Sequence, residues 1–257
     1  MSENVMLAHT FNPSKHNVKG WWMSEKLDGV RAIWTGEELV SRNLKPIYAS
    51  PFFTADLPRG VKIDGELWID RGKFQETVSV VRKRYPIESE WEKVKYRIFD
   101  FMEEGHYSRR MECAKELPDY PHLEIVPYRN CYDLDELDRF YTNILLNGGE
   151  GVILRNPNTP YEYRRTRNLL KYKPIFNSEA ELVNFQEGTG KYTNMIGALV
   201  CKDDTGRLVI IGSGLTDEMR DLDNPTFGVG SIIKFKYYGL TNAGEYRHPV
   251  LPGTRED

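Results

Sequence analysis

An α+β fold in two parts is predicted: antiparallel sheets with flanking helices, followed by a small β-barrel. Three observations predict it. Through the first two thirds of the chain, segments rich in β-branched and aromatic residues alternate with amphipathic stretches. Lys173-Pro174 interrupts that pattern, because proline biases the residue before it away from helix. Beyond it, about 80 residues hold only short β-rich segments and glycine-rich turns, the pattern of a small antiparallel barrel. The expected boundary therefore divides residues 1–174 from 175–257.

In chain order, the expected strands of the first part are Trp22–Lys26, Val30–Trp34, Glu38–Ser41, Val61–Leu67, Tyr96–Met102 and Gly151–Leu154. The expected helices are Phe74–Val81, Tyr107–Glu116 and Leu134–Asn147. The last places Leu134, Leu137, Ile144 and Leu145 at roughly helical spacing, with Asp133 as N-cap and Gly148-Gly149 as terminator. The expected barrel strands are Ala180–Gln186, Gly197–Lys202, Arg207–Gly212 and Ser231–Tyr238.

Composition excludes several classes. A chain of 257 residues with 40% apolar and 28% charged residues reads as globular, with room for a core that needs no disulfide or structural metal. The net charge of −3 excludes a strongly basic nucleic-acid coat but not a local basic groove. Cys113, Cys131 and Cys201 form no CxxC pair, and His9, His16, His106, His122 and His248 show no ligand spacing. No apolar run is long enough to span a bilayer. No secretory signal is readable at the start, so the expected location is cytoplasmic for a complete chain and periplasmic for a processed form. Charge is unevenly spread. Residues 178–257 hold 8 Lys+Arg and 12 Asp+Glu, whereas Arg155–Lys173 carries Arg155, Arg164, Arg165, Arg167, Lys171 and Lys173 against Glu162 alone. Such a run is commonly just a solvated face; here it borders the segment with the strongest chemical signal.

That signal is Lys26-Leu27-Asp28-Gly29-Val30-Arg31. A lysine amine is a poor nucleophile near neutrality, and burial or a nearby cation frees its lone pair. Arg31, or a metal arriving with a nucleotide phosphate, is the expected cation. The bland alternative is a surface lysine before an Asp-Gly hairpin turn. The full K-x-D-G-x-R string arises by chance in about one such chain in a few hundred, which favours a chemical role.

KLDGVR resembles the nucleotidyl-acceptor motif of the covalent nucleotidyltransferases: ATP-dependent DNA ligases, RNA ligases and mRNA-capping guanylyltransferases. In that superfamily the lysine attacks the α-phosphate of a nucleoside triphosphate and becomes a lysine–NMP adduct. The other motifs follow in the family's order. Ser41-Arg42-Asn43 resembles the segment whose arginine contacts a nucleic-acid phosphate. Asp64-Gly65-Glu66 resembles the motif whose glutamate faces ribose and metal. In YRIFDF, Tyr96–Phe101, Phe99 matches the phenylalanine that stacks on the base. Glu150–Arg155, EGVILR, resembles the motif whose glutamate serves the metal, and Leu170–Lys173, LKYK, the paired lysines that hold the triphosphate.

Physical reading adds detail. Alternation along a strand would place Arg97, Phe99 and Phe101 on one face, and Tyr96, Ile98 and Asp100 on the other. Lys171 and Lys173, two apart, would point the same way and suit a polyphosphate. Glu66 and Glu150 are hard oxygen ligands, though each alone is as readily a salt-bridge partner. Val152 or Ile153 would form the other wall of the base pocket.

Within the superfamily, Gly20–Ala32, Leu39–Ser50, Phe52–Pro58 and Asp64–Gln75 most resemble minimal ATP-dependent DNA ligases of the bacterial Lig E type. Glu187–Val200 resembles the start of a ligase OB domain; its Gly188-x-Gly190-Lys191 lacks the upstream glycine and Ser/Thr of a P-loop. The resemblance implies a nucleotidyltransferase domain followed by an OB-fold barrel. It implies ATP as AMP donor, Mg²⁺ with Mn²⁺ as a substitute, nicked duplex DNA as substrate, and a monomer without membrane attachment or an obligate protein partner. Arg42, Arg155, Arg164, Arg165 and Arg167 are the expected nucleic-acid contacts. Arg255, in Arg255-Glu256-Asp257, is the expected pyrophosphate-orienting arginine; the lysine that completes the family's closing motif is not in the sequence, which would be consistent with slower self-adenylation. A capping enzyme would use GTP instead, an RNA ligase would act on RNA ends, and a degenerate nick-binding protein would not react at all.

Overall fold

The computed structural model describes residues 4–117, 120–237, 239–240, 244–246 and 248–252. Contacts divide the chain into two compact units, Met1–Tyr172 and Lys173–Asp257. In the first, the elements in order are β1 (Leu7–Thr10), β2 (Trp22–Glu25), β3 (Val30–Trp34), β4 (Leu39–Ser41), α1 (Pro51–Ala55), β5 (Ile63–Trp68), α2 (Phe74–Val81), α3 (Glu88–Trp91), β6 (Lys95–Phe101), α4 (Tyr107–Arg110), β7 (Leu123–Ile125), β8 (Tyr128–Asn130), α5 (Leu134–Leu146), β9 (Val152–Arg155) and β10 (Arg165–Tyr172).

Ten strands form two five-stranded sheets, β1-β10-β9-β2-β8 and β4-β3-β5-β6-β7. Each is antiparallel except at one edge, where β1 runs parallel to β10 and β7 parallel to β6. The second sheet buries Phe53, Val80, Val81, Trp91, Tyr96, Ile98 and Phe101 in one core with α1, α2 and α3. The first packs Met23, Val152, Leu154 and Leu170 against Leu137 and Ile144 of α5. Two small clusters, one with Val5, Ile33 and Val40 and one with Met6, Tyr161 and Leu169, hold residues of both sheets or the segments beside them. The unit is therefore two sheets, each backed by helices, with their other faces toward each other.

Local chemistry explains the elements. Asp133 caps α5 by accepting from Glu136 N–H at 2.7 Å, and its backbone is extended as an N-cap requires. The expected helix Tyr107–Glu116 instead becomes α4 followed by a 3₁₀ helix, Met111–Glu116. In a 3₁₀ helix positions three apart eclipse, so Met111, Ala114 and Leu117 all pack on the same core.

One departure from expectation matters for the site. Asp64 pairs with Asp100 and Gly65 with Ile98, so Phe99 is an extra residue in β6. This bulge resets the alternation. Phe101 joins Tyr96 and Ile98 in the core, on the face opposite to the one predicted, while Phe99 points elsewhere. Bulges beside functional sites re-aim a single side chain in this way. Gly65 is required opposite: a Cβ there would stand 2.6 Å from the Tyr96 ring and 2.9 Å from Arg97 O.

The second unit contains β11 (Phe176–Glu187), β12 (Ile196–Lys202), β13 (Leu208–Ile211) and β14 (Ile232–Tyr237), in the antiparallel order β13-β12-β11-β14. β11 starts four residues earlier than predicted, just past Pro174. Val250 closes the barrel. It bridges Lys236 of β14, with both backbone bonds at 2.8 Å, and Ser213 beyond β13. Leu182, Leu199, Ile211, Ile233 and Phe235 fill the interior.

Candidate active site

A cavity of about 310 Å³ opens between the two sheets of the first unit, within the size range of small-molecule sites. Leu7, Ala8, Ser24, Ile153, Leu169 and Lys171 line it from the first sheet, and Arg31, Glu66 and Phe99 from the second. Glu25, Lys26, Leu27, Arg42, Val126 and Arg165 complete the wall. Of the two candidates for the pocket's apolar side, Ile153 lines it and Val152 is buried against α5.

Lys26 lies where the chain leaves one sheet for the other. β2 and β3 are not paired, so Lys26–Gly29 is a crossover and not the hairpin turn that Asp-Gly suggests. Lys26 N–H continues the β2–β9 ladder by donating to Gly151 O at 2.8 Å. Its Nζ donates to Glu150 Oε2 at 2.6 Å. Gly29 cannot carry a side chain, since a Cβ would stand 2.4 Å from Leu67 O and 2.9 Å from Glu66 Cγ. Its N–H instead donates to Glu66 Oε1 at 3.2 Å.

Burial pushes the Glu66 carboxyl from 4.5 up to about 7, against the opposing pull of Lys26, Arg31 and the Gly29 N–H, with Asp64 adding to the rise. The folded state therefore holds this proton more tightly than the unfolded chain, and stability falls as pH rises from about 4.5 to about 7. Glu66→Gln is expected to melt above the wild type at about pH 8 and level with it below about pH 4.5. Thermal melts at the two pH values check this; an equal offset at both would contradict it.

Arg31 is bound too firmly to act as a free cation beside Lys26. Its Nε and one Nη donate to Asp64 Oδ1 and Oδ2 at 2.9 and 2.5 Å, and the other Nη to Met6 O at 2.9 Å. Tyr161 Oη donates to Asp64 Oδ2 at 2.6 Å and accepts from Met6 N–H at 3.1 Å. Burial works against the Arg31 charge, but Asp64 more than compensates and raises its pKa. Its role is to shape the wall: its guanidinium lies 5.4 Å from the Phe99 ring centre, and that of Arg155 lies 5.8 Å from it. The cation that faces Lys26 is Lys171, whose pKa is lowered by burial and then by Arg165 and Lys26.

The basic run divides. Arg155 is 5% exposed, ion-paired with Asp100 and 4.6 Å from the Tyr107 ring centre, so it is an internal residue and not a nucleic-acid contact. Arg164 is exposed but paired with Glu162. Arg165 donates to Ala8 O at 2.6 Å at the cavity edge, and Arg167 is exposed. Arg42 is exposed at the cavity rim. Lys173 follows β10 at the start of the second unit and does not line the cavity. Arg255 lies outside the described residues. Sequence reading missed Asp64 as the anchor of Arg31, although it stands in the quoted Asp64-Gly65-Glu66. It also missed Tyr161 and His9. The His9 pKa is lowered by burial and then by Arg165, Arg167, His16 and Lys171, which places it beside the basic cluster.

The crossover that carries Lys26, the Phe99 ring of the second sheet and Lys171 of the first enclose one pocket. Residues 5–173 match the family model of the ATP dependent DNA ligase domain. The chain belongs to the ATP-dependent DNA ligases. Residues 187–255 match the DNA ligase OB-like domain, so the barrel of the ligase is an OB fold. The chain is 36% identical to the DNA ligase of Haemophilus influenzae over 250 residues, 96% of this chain and 90% of that protein. A solved Lig E DNA ligase superposes with a TM-score of 0.89 at 32% identity, covering 99% of this chain and all of the other. The Chlorella virus DNA ligase–adenylate superposes with a TM-score of 0.55 at 25% identity, over 100% of this chain and 99% of that one. ATP use and a DNA substrate follow from the family. No helix among the described residues is long and apolar enough to cross a membrane.

The residues present fit a divalent ion that arrives with the nucleotide. Among the described residues no three His, Cys, Asp or Glu side chains form a cage. Mg²⁺ is commonly held by one or two carboxylates plus substrate phosphates. Glu66 and Glu150 would supply that pair, since both reach the Lys26 segment, Glu66 through the Gly29 N–H and Glu150 through Lys26 Nζ.

Proposed function

We propose that the ligase seals nicks through Lys26, with residues 1–174 as the adenylation domain and 175–257 as the OB domain, acting as a monomer on duplex DNA. The observation that carries this reading is the 2.6 Å contact between Glu150 and the Nζ of Lys26, which lines the Phe99-walled cavity. The ammonium passes a proton along that hydrogen bond to Glu150. The freed amine attacks the α-phosphorus of ATP, the bond to the bridging oxygen breaks, pyrophosphate leaves, and the nitrogen gives up its second proton to water as the lysine–AMP bond forms. Lys171 faces the charge that develops on the phosphate oxygens. Lys173, two residues on, is the second lysine of the family's pair and is assigned to the same charge. Phe99 and Ile153 enclose the base. Glu66 and Glu150 would hold Mg²⁺, which when bound neutralises phosphate charge. AMP then passes to the 5′-phosphate of the nick, and the 3′-hydroxyl displaces it.

Nick binding is expected to rest on backbone phosphates, through Arg42, Arg165 and Arg167, and to be indifferent to sequence. Arg42→Ala and Arg167→Ala should each weaken binding to unrelated nicked duplexes equally and lower the salt slope by about 1. Filter binding across a salt series measures this; a loss confined to one sequence would contradict it. The reading as a whole is tested by incubating the protein, Mg²⁺ and a nicked duplex with ATP or with GTP. Sealing with ATP alone is expected; sealing with GTP, or of RNA ends only, would overturn it.

A further inference from the structure

Directly behind the Lys26–Glu150 pair, one side chain joins three separate parts of the first unit. Arg71, in the loop after β5, donates from Nε to Glu25 Oε1 at 2.8 Å and from a terminal nitrogen to Oε2 at 2.7 Å. Its other terminal nitrogen donates to Asn147 O at 3.1 Å, at the C-cap of α5. Carbonyls there lack helical partners, and a cation is favoured. Glu25 ends β2 and directly precedes Lys26. The fit leaves no slack, since a Cβ on Gly149 would stand 2.7 Å from Glu25 Oε1 and 2.5 Å from Ile144 Cγ2. Gly149 directly precedes Glu150. A single guanidinium thus fixes the backbone before Lys26 and the backbone before Glu150. It also ties β2 of one sheet to the loop that follows β5 of the other, the strand that carries Glu66. Glu25 also lines the cavity, whereas Arg71 does not, so the Arg71 variants report on positioning without touching the cavity wall.

We propose that Arg71 is a positioning residue for the transfer of AMP to Lys26, holding Glu25, Lys26 and Glu150 in the geometry that in-line attack requires. The proposal rests on Lys26 being the nucleophile. A planar, bidentate fork suits this task better than a point charge, and a misplacement of about 1 Å costs on the order of 100-fold in such a step.

The test compares wild type with Arg71→Ala, Arg71→Lys, Glu25→Gln and the Arg71→Ala/Glu25→Gln double variant. Single-turnover formation of the AMP–protein adduct is followed across ATP concentrations, and sealing of a pre-adenylated nick is followed separately. Arg71→Ala and Glu25→Gln should each lower the maximal adenylation rate about 10- to 100-fold, with half-saturating ATP changed less than about threefold. The double variant should be no more than about twofold slower than Arg71→Ala, because the two residues act as one unit. Arg71→Lys should recover part of the rate, and sealing of the pre-adenylated nick should stay near wild type. An unchanged adenylation rate, multiplicative losses in the double variant, or an equal loss on the pre-adenylated nick would overturn the proposal. If Arg71→Ala does not fold, Glu25→Gln and Arg71→Lys decide on the same readouts. A wild type that forms no adduct would overturn the Lys26 reading itself.

Discussion

Lys26→Ala is expected to lower nick sealing from ATP by about a thousandfold or more, because the covalent intermediate has no atom on which to form. The protein should stay folded. Lys26 is 25% exposed and its partner Glu150 16% exposed, and an ion pair at that depth is worth about 1 kcal/mol. A pre-adenylated nick bypasses the missing amine, so the same variant should regain sealing on that substrate. Gel assays on the two substrates separate the outcomes. Loss on both would mean that Lys26 serves the whole site, and loss on neither would mean that another residue is the nucleophile.

Asp100→Ala is expected to destabilise the first unit by about 3–5 kcal/mol, since it strands buried charge. Asp100 is 0% exposed and joins Arg110, 1% exposed, and Arg155, 5% exposed. Arg110 donates to both carboxylate oxygens at 2.9 Å, and also to Gly105 O at 2.7 Å and Thr159 O at 3.1 Å. Arg155 donates to the same carboxylate. Removing the carboxylate leaves two guanidiniums in the interior, one of them, Arg155, beside the Phe99 ring. A loss of that size lowers Tm by roughly 6–20 °C for a unit of this length. Nucleotide binding should weaken as well, because Arg155 flanks the Phe99 ring. Calorimetry measures the shift; a change of less than about 1 kcal/mol would show that Arg110 and Arg155 find other partners.

The expected strands of the first part, the Asp133 cap and the Lys26 motif were legible because each rests on neighbours in sequence. What escaped rests on distant partners. Arg155 reads as part of a basic surface run because nothing nearby in sequence reveals Asp100, 55 residues away. Arg71 reads as an ordinary loop arginine because Glu25 lies 46 residues before it and Asn147 76 residues after it. Phe101 was assigned to the wrong face because period-two alternation assumes an unbroken ladder, and the bulge at Phe99 appears only when β6 is paired with β5. Barrel closure through Val250 rests on two isolated bridges and has no pattern to read. Arg31 shows a subtler error. Arg31 and Lys26 line the same cavity, but the charge expected to act on the lysine is paired with Asp64, which the same motif set names.

The central claim is that Lys26 takes AMP from ATP. The most direct measurement is peptide mapping by mass spectrometry after incubation with Mg²⁺ and ATP, without DNA. The predicted result is the added mass of one AMP on the peptide that carries Lys26, absent with GTP and absent in Lys26→Ala. An adduct on Lys171, Lys173 or any other lysine, or an adduct that persists in Lys26→Ala, would contradict it.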